Sequence, residues 1–277
     1  MSEHGPLVEV DWLLEQIGRQ DVVVIDCSFK LGDPDAGEQL WRTGHIPGAA
    51  HLDVDRDLSG EPGLRGRHPL PEPAAFETAA RGAGVSGDSR VVAYDQGGEG
   101  GAARLWWLLR HFGHERVAVL NGALAAWRAA GGALVSGAEQ APGGDFQVRE
   151  RQHDRLELVE IEHGPAKALL LDARAPERYR GEVEPIDQVA GHIPGAVNLP
   201  FAEVAPQGRF LAPDQLRERF EAAGAAPGRE LGAYCGSGIT ACVLVLAAEA
   251  AGLGEARLYP GSWSEWSRRG LPAARQE

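Results

Sequence analysis

Positive charge is scarce in this sequence of 277 residues: 27 lysines and arginines stand against 40 aspartates and glutamates, and the formal net charge is −13. Nucleic acids and anionic membrane surfaces are bound through basic faces, so this charge argues against both as partners. A small anionic substrate is not excluded, because it responds to the local field of its pocket rather than to the net charge.

Long apolar runs are absent as well. No stretch of about 18 apolar residues occurs, so the sequence predicts no membrane-spanning helix. Residues 1–6 have neither the basic segment nor the apolar core of a signal peptide, so we expect no secretory signal.

Cysteine is the third scarce feature, with copies at Cys27, Cys235 and Cys242. An odd number of cysteines without a secretory signal is typical of reduced thiols, and we expect a cytoplasmic protein. No two of the three form a Cys-x-x-Cys pair, so we expect no structural zinc site. A chemical role for at least one thiol is therefore open.

What the sequence does contain is an internal repeat. The hexapeptide Gly-His-Ile-Pro-Gly-Ala occurs at residues 44–49 and again at residues 191–196. Self-similarity of this kind indicates two copies of one structural unit. Three further pairs of segments match between the two halves: 22–26 with 168–172, 90–94 with 230–234, and 117–122 with 256–261.

The matched segments indicate the fold class. They are continuous apolar runs bounded by glycine, proline or aspartate, which is typical of strands buried on both faces of a parallel sheet. Helix-period segments such as 105–111 and 216–223 lie between them. We therefore predict an α/β fold of two tandem domains, each a mostly parallel sheet flanked by helices. With the polar stretch 136–153 as the linker, the domains span residues 1–140 and 154–277.

Cys235 lies where chemistry is expected in such a fold. It follows the predicted strand 230–234 and opens the loop Cys-Gly-Ser-Gly-Ile-Thr at 235–240, after which an apolar helix begins. The two glycines let several backbone N–H groups converge on one point, and the helix N-terminus adds partial positive charge. Both features favour a thiolate and can hold a negative atom bound to it, so we predict that Cys235 is reactive.

At these residues the sequence resembles a known family. The two hexapeptides, the loop 235–240 and the segment Gly-Ser-Trp-Ser-Glu-Trp at 261–266 resemble the rhodanese superfamily, and within it the 3-mercaptopyruvate sulfurtransferases. The resemblance implies two rhodanese-like domains, of which the C-terminal one is catalytic. The N-terminal one is inactive, since Asp95 stands where Cys235 stands in the repeat, and a carboxylate cannot carry sulfane sulfur.

The resemblance also implies an activity: sulfane sulfur passes from 3-mercaptopyruvate, a small anionic donor, through a persulfide of Cys235 to an acceptor. The acceptor is cyanide or a thiol such as thioredoxin or a small thiol, and no cofactor or metal takes part. By resemblance, Arg178 holds the substrate carboxylate, to which a guanidinium fork is suited.

Further site residues follow from the same resemblance. Asp55 and His68, expected in the first domain, would form a relay with Ser237 by the logic of a catalytic triad. The loop residues Gly236, Gly238, Ile239 and Thr240 complete the predicted substrate-binding set. One position departs from the family: Ile186 stands where a second arginine is common, and Arg180 is a possible substitute.

Several repeated or conspicuous residues have structural interpretations. His45 and His192 are the histidines of the two hexapeptides. Because one lies in the half expected to be inactive and the other in the half expected to be active, we expect structural roles for both. Cys27 and Cys242 are expected to pack in the cores. Arg174, which closely follows an aspartate, is as suited to a salt bridge as to substrate binding. The segment 98–103 resembles a weak dinucleotide fingerprint, but it occupies the place of the Cys235 loop and is interpreted as that loop degenerated.

Three other functions compete with this prediction. A cysteine phosphatase or arsenate reductase needs an arginine six residues after the cysteine, where this chain has Ala241. A thiosulfate sulfurtransferase, whose donor is a dianion, carries basic loop residues in the family, whereas Gly236 and Ser237 are neutral and suit a monoanion. A non-catalytic sulfur-relay or redox-sensing module is the third possibility; the complete loop together with Arg178 favours catalysis.

Overall fold

The computed structural model describes residues 5–139, 141–162 and 168–275. Residues 1, 140 and 277, at which the predicted domains begin or end, lie outside this range. Most of the segment 1–6, in which no signal peptide is expected, also lies outside it. The chain divides into two compact units. Within the described part, no helix is long and apolar enough to cross a membrane.

The first unit is a parallel sheet flanked by helices. Its described strands pair in the order β1-β5-β4-β2-β3, and each of these pairings is parallel. The strands are β1 Leu7–Val8, β2 Val22–Asp26, β3 Ala50–His51, β4 Arg90–Tyr94 and β5 Val117–Leu120. The helices are α1 Val10–Gln16, α2 Ala36–Thr43, α3 Pro73–Gly82, α4 Gly101–His111 and α5 Ala123–Ala129.

The second unit repeats this plan with the described strands in the order β7-β6-β8-β9, again all parallel. The strands are β6 Ala168–Asp172, β7 Val197–Asn198, β8 Glu230–Tyr234 and β9 Arg257–Leu258. The helices are α6 Leu158–Glu162, α7 Pro176–Arg180, α8 Phe201–Val204, α9 Pro213–Ala222, α10 Ala241–Ala250 and α11 Ser262–Arg268, with a 3-10 turn at Pro206–Gly208. The predicted class, two tandem α/β domains with parallel sheets, is confirmed.

The repeated hexapeptide has a structural reason. In the second unit Asp172 pairs in register with Tyr234, and the Tyr234 hydroxyl accepts the backbone N–H of Ile193 at 3.1 Å. His192, beside it, has Nδ1 2.8 Å from the Tyr179 carbonyl oxygen and stacks on the Tyr179 ring. These contacts fasten the hexapeptide to the end of the central strands.

The first unit makes the same contacts. The hydroxyl of Tyr94 accepts the N–H of Ile46 at 3.2 Å, and His45 Nδ1 lies 2.8 Å from the Trp41 carbonyl oxygen. Because both halves use these groups alike, the predicted structural role of the two histidines is confirmed.

The boundary between the units lies later in the chain than predicted. Residues 141–151 belong to the first unit, because their backbone forms hydrogen bonds with it. The N–H of Phe146 donates to the carbonyl oxygen of Val85, and the N–H of Arg149 donates to the carbonyl oxygen of Phe112. The first unit therefore extends to Arg151 rather than to residue 140. Polar composition alone suggested a linker there.

The two halves also exchange short segments. Residues 61–70 belong to the second unit, and residues 207–209 belong to the first. His68 is therefore part of the second unit, not of the first domain as predicted. The exchange is held by local contacts: the N–H of Arg67 donates to Ser264 Oγ at 3.0 Å, and the N–H of Gly122 donates to the carbonyl oxygen of Gly208 at 3.0 Å.

Candidate active site

Cys235 lies directly after β8, at the carboxyl end of the second sheet, and it is only 2% exposed. Its Sγ faces two backbone donors of its own loop: the N of Gly238 at 3.1 Å and the N of Ser237 at 3.5 Å. These N–H groups can stabilise negative charge on sulfur without any charged side chain in the loop. The convergence predicted from the two glycines is confirmed.

The loop has a conformation that glycine alone permits at one point. Gly238 has φ +83°, and a Cβ there would lie 2.4 Å from the carbonyl oxygen of Pro260. Two further bonds anchor the loop to the start of α11: the N–H of Cys235 donates to Ser262 Oγ at 3.1 Å, and the N–H of Ser264 donates to the Gly236 carbonyl at 2.9 Å. The loop that carries the thiol is therefore anchored to α11 at Cys235 and at Gly236.

The last two loop residues serve the turn into α10. Ile239 is 3% exposed, and its carbonyl oxygen accepts the N–H of Cys242 at 3.0 Å. Thr240 is the N-cap residue of α10 and its carbonyl accepts the N–H of Val243. No contact of either side chain with Sγ is among those described, so the part these residues play in substrate binding stays a prediction.

Ser237 and His68 meet within the second unit. The Ser237 Oγ lies 2.7 Å from His68 Nδ1, and both residues are buried. The described geometry thus brings together two of the three predicted relay members. Asp55 lies in the first unit, where its N–H donates to Asp53 Oδ1 at 3.0 Å. Its part in the relay stays a prediction.

Arg178 is the first of two guanidinium groups at the loop. Both of its terminal nitrogens lie 3.6 Å from the position that a Cβ on Gly236 would occupy. Glu184 holds the group in place, with Oε1 at 2.6 Å from Nη2 and Oε2 at 3.3 Å from Nε. Burial acts to raise the pKa of Glu184, but the hydrogen bonds from Arg178 and from the backbone outweigh it, and this pKa is lowered.

The second guanidinium belongs to Arg67, which the sequence analysis missed. Its Nη2 lies 3.2 Å from the same Cβ position on Gly236, and its Nη1 donates to Asp187 Oδ1 at 2.9 Å. The loop residues themselves are neutral, but two cations flank them, so the site is not the uncharged one that Gly236 and Ser237 suggested. The only sequence signal for Arg67 was Ile186, an uncharged residue at the position where a second arginine is common in the family. A cation could therefore be supplied by another segment of the chain.

Two other arginines have carboxylate partners of their own. Arg180 pairs with Glu182 on the surface, 2.7 Å from Nε to Oε1, and its part in replacing the missing family arginine stays a prediction. Arg174 is buried and donates to Asp172 through Nη2 at 2.6 Å and Nε at 3.0 Å. Its guanidinium also lies over the Trp263 ring, 4.9 Å from the centroid. Arg174 is therefore a structural salt-bridge partner.

The remaining cysteines are structural. Cys242 is buried in α10, and its thiol donates to the carbonyl oxygen of Gly238 at 3.3 Å. Cys27 is fully buried; burial raises the pKa of its thiol well above the ordinary value, and the carboxylates of Asp26, Asp95 and Asp57 raise it further. A thiol of this kind is a poor nucleophile.

The equivalent loop of the first unit is already filled. Asp95 occupies the place of the cysteine, and its carboxylate accepts the N–H of Gly97 at 2.8 Å and of Ala102 at 3.1 Å. Gly97, which matches Ser237 in the repeat, thus directs its N–H to a carboxylate of the chain itself, and Ala102 in α4 supplies a second donor. The segment 98–103 is the start of α4 and its preceding turn, as expected for a degenerate copy of the Cys235 loop.

Comparison with known proteins agrees with this geometry. Residues 9–130 and 157–269 each match the family model of the rhodanese-like domain. A probable 3-mercaptopyruvate sulfurtransferase from Pseudomonas aeruginosa is 46% identical over 267 residues, which cover 94% of each chain. A putative thiosulfate sulfurtransferase from Mycobacterium tuberculosis is 42% identical over 254 residues, covering 89% of this chain and 88% of the other.

The fold is shared with a solved structure as well. The crystal structure of the 3-mercaptopyruvate sulfotransferase of Escherichia coli matches with a TM-score of 0.84 at 33% identity, covering 94% of this chain and 99% of that one. Two matched domains, two parallel sheets and a cysteine loop in the second half agree with the family predicted from the repeat. The chain belongs to the rhodanese-like family and is a tandem-domain sulfurtransferase.

Proposed function

We propose that the chain moves sulfane sulfur from 3-mercaptopyruvate to a thiol or cyanide through a persulfide of Cys235. The observation that carries the proposal is the pair of N–H groups facing Sγ, next to a guanidinium that can hold a carboxylate. The 46% identical relative named as a probable 3-mercaptopyruvate sulfurtransferase supports this choice of donor.

The chemistry proceeds in two half-reactions. With Arg178 holding the donor carboxylate, the Cys235 thiolate attacks the donor sulfur; an S–S bond forms and the C–S bond breaks. The electron pair of the C–S bond leaves on the three-carbon fragment as the enolate of pyruvate, which takes up a proton. An acceptor thiolate or cyanide then attacks the outer sulfur, and Cys235 departs as thiolate. The loop N–H groups stabilise the negative sulfur in both steps.

Ser237 is proposed to supply the proton to the enolate. Its hydroxyl is paired with His68 Nδ1 at 2.7 Å in a buried setting, so His68 can return a proton to the serine after transfer. Asp55 is proposed as the carboxylate that orients His68. Asp55→Asn should then lower kcat for pyruvate release with little change in KM; an unchanged kcat would remove Asp55 from the relay.

Thiosulfate is the second candidate donor. Two guanidinium groups beside Gly236 can receive more negative charge than the neutral loop suggested, and the 42% identical relative is named as a putative thiosulfate sulfurtransferase. The deciding experiment measures kcat/KM for both donors with one thiol acceptor. The proposal predicts a higher value for 3-mercaptopyruvate, with no turnover by Cys235→Ser; a higher value for thiosulfate would reverse the assignment of donor.

A further inference from the structure

Ser262 has a backbone conformation that is strained for an L-residue. Its φ is +54°, in the left-handed region, which glycine enters far more readily than other residues. The matching residue of the first unit, Ala123, has φ +55°. Each follows a glycine and begins a helix, α11 after β9 and α5 after β5. Such strain persists only where the surrounding structure imposes it.

The two strained residues occupy the same place relative to the loops that follow β4 and β8. In the first unit the N–H of Leu124 donates to the carbonyl oxygen of Asp95 at 3.0 Å. In the second unit the N–H of Trp263 donates to the carbonyl oxygen of Cys235, also at 3.0 Å. The strained φ therefore belongs to the backbone arrangement of both units, and the two copies differ at this position in the side chain.

The Ser262 hydroxyl links the reactive residue to the neighbouring strand. It accepts the backbone N–H of Cys235 at 3.1 Å and donates to the carbonyl oxygen of Tyr259 at 2.9 Å. Tyr259 directly follows β9, and its N–H donates to the carbonyl oxygen of Ala233 in β8 at 2.9 Å. Ser262 is fully buried, so both of its hydrogen bonds are shielded from water. The methyl group of Ala123 can form neither bond.

We propose that Ser262 is a positioning residue for sulfur transfer, which holds the backbone of Cys235 in place through its hydroxyl. The Sγ of Cys235 faces the N–H groups of Ser237 and Gly238 at 3.5 and 3.1 Å. The hydrogen bond to Ser262 fixes the residue that carries this Sγ, and a shift of Cys235 would lengthen both contacts. Glycine at position 262 would avoid the strain but would supply no hydroxyl. The inference rests on the proposed function for the role of Cys235 as the nucleophile.

Two variants separate the hydroxyl from the backbone strain. Ser262→Ala lacks the hydroxyl, and Ala123 shows that the fold accepts alanine at this φ. Ser262→Gly lacks the hydroxyl and also relieves the strain. Both should lower kcat for pyruvate release by roughly 2- to 10-fold, the factor that one net hydrogen bond represents, with little change in KM, because the groups that hold the donor stay in place. Ala123→Gly is the matched control: it relieves the same strain in the first unit and should retain wild-type kinetics.

A second measurement does not depend on the sulfur donor. Iodoacetamide alkylates a thiolate at sulfur with loss of iodide, and peptide mass spectrometry identifies the cysteine that has reacted. The rate at Cys235 should fall several-fold in both Ser262 variants, since the thiolate loses donors that stabilise it, and stay at the wild-type value in Ala123→Gly. If wild type releases no pyruvate from 3-mercaptopyruvate while this rate still depends on Ser262, the donor assignment fails and the positioning role stands. A folded Ser262→Gly variant with wild-type kcat and alkylation rate would overturn the proposal.

Discussion

Gly238→Ala tests the loop geometry on which the sulfur chemistry depends. The native φ of +83° is unfavourable for alanine by about 1–2 kcal/mol. In addition, the new Cβ would lie 2.4 Å from the Pro260 carbonyl oxygen. Ordinary contacts begin near 3.4 Å, so the loop or Pro260 must move by about 1 Å. That movement carries the Gly238 N–H away from Sγ.

Loss of one such donor from a site that stabilises developing charge lowers kcat by about 10²- to 10³-fold. Gly228→Ala is the matched control: its φ of +78° imposes the same backbone strain, but nothing lies within 4 Å of its Cβ position. We expect both variants to lose similar stability in urea titrations, apart from the added clash, and only Gly238→Ala to lose pyruvate release. If folded Gly238→Ala turns over like Gly228→Ala, the N–H of Gly238 does not hold the reacting sulfur.

Three further outcomes follow from the paired arginines and carboxylates. Arg178→Ala should lower kcat/KM for 3-mercaptopyruvate, with a loss equivalent to about 1.5–3 kcal/mol of binding free energy. An unchanged value would mean that another residue holds the donor carboxylate. Arg174→Met should lower the free energy of unfolding in urea by about 3–5 kcal/mol, since buried Asp172 loses its partner; a loss near zero would refute that role. Because the folded-state pKa of Glu184 is below its ordinary 4.5, its ionised form stabilises the fold above about pH 4.5. The stability difference between wild type and Glu184→Gln should therefore be full at pH 7 and disappear on acidification; a difference that persists at the lowest pH would contradict the ion pair.

The features that the sequence predicted well are local. Strands β4 and β8 are continuous apolar runs, and the reactive loop is a short segment whose glycines determine where its N–H groups point. The structural roles of His45 and His192 could be predicted because both halves carry the same residues. In each case the evidence lies within a few residues of the feature or in its repeated copy.

The features that could not be predicted depend on contacts between distant parts of the chain. His68 reaches Ser237 across 169 positions, and Arg67 reaches Asp187 across 120. No periodicity or spacing marks the exchange of residues 61–70 into the second unit, since the segment has neither strand nor helix patterning. A loop of neutral residues likewise predicts an uncharged site, because the cations that flank Gly236 come from other segments.

The matched loops of the two halves place backbone donors around different side chains. In the second unit the backbone donors of Ser237 and Gly238 face the thiol of Cys235. In the first unit the carboxylate of Asp95 accepts the N–H groups of Ala102 and Gly97, and burial raises its pKa despite these hydrogen bonds. The equivalent position in the first unit is therefore filled by a side chain of the chain itself, which agrees with the inactivity predicted for this half.

The persulfide is the central claim, and mass spectrometry of the enzyme treated with 3-mercaptopyruvate in the absence of acceptor tests it most directly. We predict one added sulfur atom on the peptide that contains Cys235, removed by a thiol acceptor and absent in Cys235→Ser. Added sulfur on Cys27 or Cys242, or pyruvate release by Cys235→Ser, would contradict the account.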